Sequence, residues 1–233
     1  MTKQHPLDRP VWSALTGGHA HLAQGDPRSA LRYPSDIEPF GAAAGGFPEQ
    51  LLALGALTAK DNAVALVERH RVMPPSGLVA MIEEPVHQMT ATRLAPPEDE
   101  DDVVELGDAD AAEMQALAEL TQPGPFHART HTLGGFVGVR ESGRLIAMTG
   151  ERMRVPGFTE ISAVCTHPDA RGRGLAAKLM RIVAHRIVAR GEELFLHVYP
   201  RNTNAIAVYE KLGFRQRATL HLTVLRHRQP GEA

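Results

Sequence analysis

The chain has 233 residues, of which 43% are hydrophobic and 22% charged, with a net charge of −2. This balance is typical of a globular protein with one large domain or two small ones, and it excludes wholesale disorder. Cys165 is the single cysteine, which excludes an internal disulfide and a cysteine-based metal site. Because no long apolar run and no secretory signal pattern is visible, the sequence predicts a cytoplasmic protein without a membrane partner.

The first 97 residues combine short predicted elements with turns. Residues 1–47 contain five prolines and a run of small residues, so long helices or strands are not expected there. Pro48 begins an apolar stretch that predicts a short helix over 48–57. Apolar runs predict strands at 64–67, 78–82 and 86–91, the last two being separated by Pro85 because proline lacks the N–H that a strand needs.

A proline pair followed by five acidic residues marks the predicted domain boundary. Pro96 and Pro97 precede the acidic run 98–102, whose side chains cannot pack in a core. We therefore predict an N-terminal domain of open role over 1–97 and a second domain over 98–233. The acidic run has two interpretations, a solvated linker or a patch that guides a cationic acceptor.

Regular alternation of elements begins after this linker. The patterns predict helices at 109–120, 175–190 and 204–212, and strands at 103–106, 136–140, 145–152, 158–166, 194–198, 214–217 and 219–225. Gly143 lies in a predicted hairpin turn, and Gly191 and Gly213 end the last two helices. This order predicts an α/β fold in which a mixed sheet carries helices on its faces.

Charge is distributed unevenly along the chain. Residues 167–233 hold 12 Lys or Arg and 5 Asp or Glu, a net charge of +7, which leaves −9 for the first 166 residues. A basic C-terminal third suits an anionic ligand, a bound phosphate or a nucleic acid. The alternative is a solvated charged surface without a partner.

The most informative segment joins the strand at 158–166 to the helix at 175–190. Its turn, 171–174, reads Arg-Gly-Arg-Gly, and it lies where the first turn of a helix offers free N–H groups and a partial positive charge. Such a turn suits a diphosphate group. The alternative is a glycine-lined turn that holds no ligand.

Two common phosphate motifs do not account for this turn. A Walker loop would end in Gly-Lys-Ser/Thr, which is absent. Gly172, Gly174 and Ala177 match the letters of the dinucleotide fingerprint, but residues 167–170 separate them from the strand. Moreover, Glu192 and Glu193 precede the next strand instead of closing it, so a dinucleotide site is not favoured.

Two motifs resemble one known superfamily. The run VCTHPDARGRGLAAKLM (164–180) resembles the acyl-CoA-binding motif R/Q-x-x-G-x-G/A of the GNAT superfamily of N-acetyltransferases. The run NTNAIAVYEKLGF (202–214) resembles its second motif, and both stand in the expected order. The resemblance covers residues 103–226. Within the superfamily, this segment is most similar to the branch related to glycine N-acyltransferases. It implies the GNAT fold, with residues 1–95 as a candidate degenerate GNAT-like partner domain.

The resemblance implies transfer of an acetyl group from acetyl-CoA to a primary amine by direct attack in a ternary complex. It also implies a bulged strand over 161–166, whose Val164 amide would polarise the thioester carbonyl. The residues expected to bind acetyl-CoA are Val164, Cys165, Thr166, Arg171, Gly172, Arg173, Gly174, Leu175, Ala176, Asn202 and Tyr209. For Asn202 the alternative role is a helix N-cap.

Two residues are expected to move protons in this reaction. Deprotonating a lysine-like amine at pH 7 costs about 4–5 kcal/mol, so a base or a water chain ending in one is needed. Glu160 is the predicted base, because relatives carry a glutamate at the start of this strand, and Glu151 is the second option. Tyr209 is the predicted acid that protonates the departing thiolate, because it stands where relatives have theirs.

Other functions remain open at this stage. His127 and His131 have the spacing of helical metal ligands, but no third ligand is near, so no metal is predicted. The main alternative is a catalytically silent acyl-CoA-binding regulatory module, and nucleic-acid binding is a further one that is not favoured. The acceptor is predicted to be a small-molecule or peptide amine of unknown identity, and residues 1–95 are expected to shape its pocket or a homodimer contact.

Overall fold

The computed structural model describes residues 5–58, 63–97 and 99–229. The α-helices of this part of the chain are α1 (Pro10–Leu15), α2 (Pro48–Leu57), α3 (Ala111–Thr121), α4 (Leu175–Ala189) and α5 (Thr203–Leu212). Its strands are β1 (Gln24–Asp26), β2 (Ala30–Arg32), β3 (Gly41–Ala43), β4 (Val64–Glu68), β5 (Leu78–Ala91), β6 (Val103–Leu106), β7 (Phe136–Glu141), β8 (Arg144–Val155), β9 (Phe158–Thr166), β10 (Glu193–Val198) and β11 (Arg215–His227).

Strands from both ends of the chain build one mixed sheet. Its order is β4-β11-β5-β10-β9-β8-β7-β6, while β1 to β3 form a small separate sheet. Strand β5 lies between β10 and β11 and is antiparallel to both. Strands on either side of the predicted domain boundary therefore share a sheet. Glu98, the first residue of the predicted second domain, lies outside the described residues, and the division into domains stays a prediction.

Apolar spacing decides how the helices pack on this sheet. In α4 the buried residues recur every three or four positions, and they pack against β7 to β10. The first segment of the chain packs on the same sheet, where Leu7, Val11 and Tyr33 share a cluster with Phe195 and Leu220. The N-terminal third therefore contributes to the central core through side chains as well as through strands.

Most predicted elements are confirmed, including the helix at 48–57, the strand at 158–166 and the hairpin around Gly143. The predicted break at Pro85 is wrong, because β5 runs through it. At this position β5 pairs only with β11, since its pairing with β10 ends at His87. One side of β5 is therefore unpaired at Pro85, and a proline is tolerated where one side of a strand needs no donor.

The predicted pair of strands at the C-terminus is likewise one strand, β11. Its register shifts between Gln216 and Ala218, which pair with Met89 and Gln88, so Arg217 is an extra residue on the bulged strand. A bulge bends a strand without ending it.

Acids from the rest of the chain neutralise much of the basic C-terminal third. Lys178 contacts both Asp99 and Asp102 of the acidic run, and Arg217 is paired with Asp8 at 2.6 Å. The charge asymmetry of the sequence therefore corresponds in part to contacts inside the fold. Within residues 5–58, 63–97 and 99–229, no helix combines the length and apolar character needed to span a bilayer.

Candidate active site

Strands β9 and β10 separate in the middle of the sheet. They pair in parallel only where Phe158–Glu160 faces Glu193–Phe195, and beyond this point β10 pairs with β5 alone. The second half of β9 is thus free of a partner on this side. Its backbone N–H and C=O groups can hydrogen-bond to a ligand that enters between the two strands.

A bulge interrupts β9 within this free half. Cys165 pairs with Met148 and Ser162 with Gly150, so Ala163 and Val164 have no register partner in β8. Ala163 has a φ of 51°, in the left-handed region that a residue with a Cβ rarely adopts. Backbone strain of this kind persists where the surroundings enforce it, commonly at functional sites. The predicted bulged strand over 161–166 is confirmed.

The glycine-rich turn follows β9 and leads into α4. Gly172 and Gly174 have φ values of 79° and 76°, and a Cβ built on either would meet no atom within 4 Å. Residues 171–174 are exposed, and Gly174 caps α4 without a side-chain hydrogen bond to the helix. The turn therefore offers backbone N–H groups and open space, the two properties required for close approach of a diphosphate. Arg173 is paired with Glu141 at 3.0 Å.

A cavity of about 370 Å³ opens where β9 and β10 separate. Among the predicted site residues, it brings together Val164, Asn202 and Tyr209. Asn202 also caps α5, because its Oδ1 accepts a hydrogen bond from Ala205 N at 3.2 Å. The predicted diphosphate residues 171–176 do not line this cavity, so they lie outside the chamber that holds the tyrosine.

Tyr209 has the environment of a protonated acid. Burial raises the pKa of its phenol to about 12, with a further contribution from nearby Cys165, and no hydrogen bond contributes to the shift. The buried thiol of Cys165 likewise has a pKa raised by burial to about 11, so it is neutral at physiological pH. A neutral thiol is a weak nucleophile, which argues against a covalent acyl-cysteine.

Glu160, the predicted base, lies in a saturated ion pair behind the cavity wall. Its carboxylate accepts from Arg152 Nε at 2.9 Å and Nη2 at 2.7 Å, and from His197 Nδ1 at 2.7 Å. Burial opposes its charge, but Arg152 and His197 outweigh burial and hold the pKa of Glu160 far below its usual range. A carboxylate that binds a proton so weakly is a poor base at neutral pH. Its assignment as the base is therefore not favoured by this geometry.

Glu151, the second candidate base, is occupied as well. It accepts from Arg190 Nη1 at 2.9 Å and from Nη2 at 2.7 Å, and it does not line the cavity. His131, which has the spacing of a metal ligand with His127, is also engaged in a contact, since its Nε2 is 2.8 Å from Asp108 Oδ1. Among the described residues, no group of three or more His, Cys, Asp and Glu side chains is arranged to hold a metal.

His197 lines the cavity and was not predicted as a site residue. Arg217 donates to Gln88 Oε1 at 2.8 Å, which orients the amide so that Gln88 Nε2 donates to Leu7 O at 2.9 Å and to His197 Nε2 at 3.1 Å. The hydrogen-bond pattern therefore assigns the imidazole proton to Nδ1, which donates to Glu160. The result is a neutral histidine whose Nε2 is an acceptor and whose ring is held by a carboxylate.

Glu38 is a buried acid that forms none of these contacts. It is fully buried, and neither carboxylate oxygen has a hydrogen-bond partner among the described residues. Burial raises its pKa to about 8, Arg152 opposes this shift, and Glu160 adds to it. Glu38 is therefore mostly protonated in the folded protein at pH 7, which leaves the Arg152–Glu160 pair nearly neutral overall.

We expect Glu38 to make the folded protein less stable as the pH rises. Because its pKa is raised in the folded state, Glu38 binds its proton more tightly there than in the unfolded chain. Its contribution to the free energy of unfolding is therefore fully present below pH 4.5 and is lost as the pH increases through about 8. At about 1.4 kcal/mol per pH unit, the loss approaches 5 kcal/mol. Urea unfolding of wild type and Glu38→Gln at pH 5 and 8.5 should show a markedly smaller decline in the variant.

The matched control is Glu83→Gln, which changes an exposed acid of β5. Its unfolding free energies should follow the wild-type pH dependence. Equal slopes for the Glu38→Gln and wild-type proteins would contradict the raised pKa of this buried carboxyl.

Comparisons with known proteins place this geometry in a family context. The family described as FR47-like protein matches residues 136–222, which include β9, the glycine-rich turn and Tyr209. The crystal structure of a GNAT-family protein from Novosphingobium aromaticivorans is 43% identical, covers 97% of this chain and 100% of its own, and superposes with a TM-score of 0.90. The correspondence therefore extends over the N-terminal third as well.

Two curated relatives carry acetyltransferase names. N-alpha-acetyltransferase RimI of Mycobacterium tuberculosis is 31% identical over 127 residues, 48% of this chain and 79% of the relative. Mycothiol acetyltransferase of Corynebacterium glutamicum is 43% identical over 60 residues, which is 25% of this chain and 20% of the relative. This chain thus spans only a fifth of the mycothiol enzyme.

Proposed function

This chain belongs to the GNAT superfamily of N-acetyltransferases, and from that premise we propose that it transfers an acetyl group from acetyl-CoA to a primary amine by direct attack in a ternary complex. The observation that carries the proposal is the separation of β9 from β10. It opens a cavity that Val164, His197 and Tyr209 line together. A carbonyl-polarising amide, a base and an acid are the three groups that this reaction needs.

The glycine-rich turn is the proposed diphosphate site. Its backbone N–H groups, at the N-terminus of the 15-residue helix α4, would bind the phosphate oxygens, and the open space beside Gly172 and Gly174 fits a closely approaching ligand. Residues 171–176 and 164–166 would thus hold the diphosphate and the pantetheine arm, and Val164 N–H would donate to the thioester carbonyl as negative charge develops there.

Backbone binding at this turn makes a testable prediction. Gly174→Trp should weaken acetyl-CoA binding by about tenfold more than Arg173→Ala, because the indole fills the approach path whereas Arg173 is half-exposed and already paired with Glu141. Isothermal titration calorimetry measures both affinities. Gly174→Ala serves as a control, since it adds the strain of a φ near 76° with little bulk. Equal losses for the tryptophan and arginine variants would contradict this role of the turn.

His197 is the proposed base, with Glu160 as its positioning residue. Because Gln88 is buried and does not line the cavity, the amine proton would reach His197 Nε2 through a water as Gln88 gives up its hydrogen bond, while Glu160 on Nδ1 stabilises the resulting imidazolium. This arrangement matches the role of the carboxylate in a carboxylate–histidine pair, which orients the ring without taking the proton. His197 thus replaces Glu160 as the proposed base.

His197→Gln should lower kcat/KM by at least about tenfold at pH 7. The defect should narrow toward pH 10, because an amine with a pKa near 10.4 then deprotonates without help. His87→Gln is the control, since His87 lies on the neighbouring strand β5 and contacts Thr219 Oγ1 at 3.2 Å outside the cavity. A defect in His197→Gln that is constant with pH would argue against a base at this position.

A turnover assay tests the proposed function as a whole. Purified protein is incubated with acetyl-CoA and a panel of amines, released coenzyme A is measured with a thiol reagent, and products are identified by mass. We expect amine-dependent release and a product heavier by one acetyl group. Binding of acetyl-CoA with no turnover of any amine would favour the silent regulatory module, and no binding would overturn the proposal. The predicted cytoplasmic location and homodimer stay predictions.

A further inference from the structure

The cavity extends far beyond the proposed reaction centre. Its lining includes residues of β9, β10, β5, β11 and β4, which are successive neighbours in the sheet. Neighbouring strands are about 4.8 Å apart, so the cavity extends roughly 19 Å across these five strands. We name the part beyond β10 the acceptor arm and define it by six lining residues: Phe40, Val67, Ile82, Val86, Leu222 and Val224.

The acceptor arm is apolar along its length. Its side chains are aliphatic or aromatic, and Ile82 and Val224 are cross-strand partners on β5 and β11. The ring of Phe40 lies against the guanidinium of Arg152, with 5.2 Å between Cζ and the ring centroid. The cation nearest to the arm is therefore covered on one face by an aromatic ring. Because the segment before residue 97 supplies four of the six residues, the N-terminal third determines the shape of this space.

The charged groups in the cavity wall limit which acceptors can bind there. The described residues that line the cavity include no Asp, Glu or Lys, and its titratable members are Arg152, His197, Tyr199 and Tyr209. Arg152 is neutralised by two hydrogen bonds to Glu160. A second ammonium group inside the acceptor arm would lose part of its water without gaining an anion, and a carboxylate would find no free cation among the described lining residues.

We propose that the acceptor is a small primary monoamine whose uncharged alkyl or aryl body occupies the acceptor arm. This inference rests on the proposed transferase activity, and it excludes polyamines and free amino acids as preferred substrates. The cavity volume of about 370 Å³ lies in the range of small-molecule sites, and it must also admit the acetyl group. A small molecule therefore fits this space better than a folded protein surface does.

Three amines of equal chain length test the proposal directly. Hexylamine, 1,6-diaminohexane and 6-aminohexanoate differ only in the group at the far end. We expect kcat/KM for hexylamine to exceed that for each of the other two by about 50-fold or more. A peptide with a free N-terminus is included as a fourth substrate. Preferred acetylation of the diamine, the amino acid or the peptide would overturn the proposal while leaving the transferase activity established.

A charge placed in the arm should reverse this preference. Val224→Asp and Ile82→Asp are expected to lower kcat/KM for hexylamine and raise that for 1,6-diaminohexane, so that their ratio shifts by about tenfold or more. Ile82 is 44% exposed, which makes its substitution compatible with folding. Met81→Asp is the matched control on the same strand, since Met81 is exposed and lies outside the cavity. An unchanged ratio in both arm variants would contradict the proposal.

Calorimetry separates failure of this inference from failure of the proposed function. All variants should bind acetyl-CoA as the wild type does, because the arm lies on the far side of β10 from the glycine-rich turn. Binding of acetyl-CoA without acetylation of any amine would overturn the proposed function, and the inference with it.

Discussion

Replacing Tyr209 with phenylalanine is expected to lower kcat by about 100-fold or more while changing acetyl-CoA affinity by less than about twofold. The phenol lines the cavity with Val164, and its pKa of about 12 keeps it protonated. The coenzyme A thiolate, formed beside Tyr209 in the cavity, would also have its pKa raised by burial. A proton donated by Tyr209 would therefore stabilise the thiolate as it leaves. Steady-state kinetics combined with calorimetry separate the two effects.

The chain supplies a matched control for this substitution. Tyr199 also lines the cavity, and its ring is stacked under Arg201 at 4.1 Å. Tyr199→Phe removes the same hydroxyl from the same chamber and should keep kcat within about threefold of wild type. If the two variants lost equal activity, the hydroxyl of Tyr209 would have no special role as the acid. A silent binding module would show no rate to lose.

A fragment comprising residues 98–233 is expected not to fold. Strand β11 pairs only with β4 and β5, both of which precede residue 97, and β10 would lose its pairing with β5. The fragment would expose these strand edges and the apolar surface that the N-terminal third covers. We expect it to be insoluble or to lack a cooperative thermal transition, measured by far-UV circular dichroism.

A nicked protein is the control for this experiment. A protease site inserted in the proline-rich stretch before Asp99 would cut the chain between β5 and β6 and leave every strand in place. The two pieces should elute together and melt cooperatively. A fragment over 98–233 that folds alone would instead establish the domain boundary that the acidic run predicts.

Features set by neighbouring residues could be predicted from the sequence. The glycine-rich turn, the helix that follows it and the strand at 158–166 depend on residues close together in the chain, and all three are observed. The apolar spacing of α4 is likewise local, because one face of a helix repeats every three to four residues. The first of the two motifs that carry the family resemblance lies within this region.

Features set by distant residues could not be predicted. His197 gains its environment from Glu160 on the next strand and from Gln88, 109 residues away in the chain. Glu160 was predicted as the base because its position along β9 is visible in the sequence, whereas its contact with Arg152, eight residues away, depends on the irregular register between β8 and β9. A histidine among the apolar residues of β10 was the one available signal, and a lone histidine in a strand does not identify its partner.

The position of β5 has a consequence for the emergence of this protein from the ribosome. Its second neighbour, β11, begins at Arg215, far along the chain from the end of β5 at Ala91. The centre of the sheet therefore cannot close until the ribosome has added the long intervening segment and β11 itself, and until then β5 exposes an unpaired edge. Long-range pairing of this kind slows folding and favours aggregation of nascent chains. We expect cells that overproduce the protein to depend on chaperones more than they would for a fold closed by local hairpins.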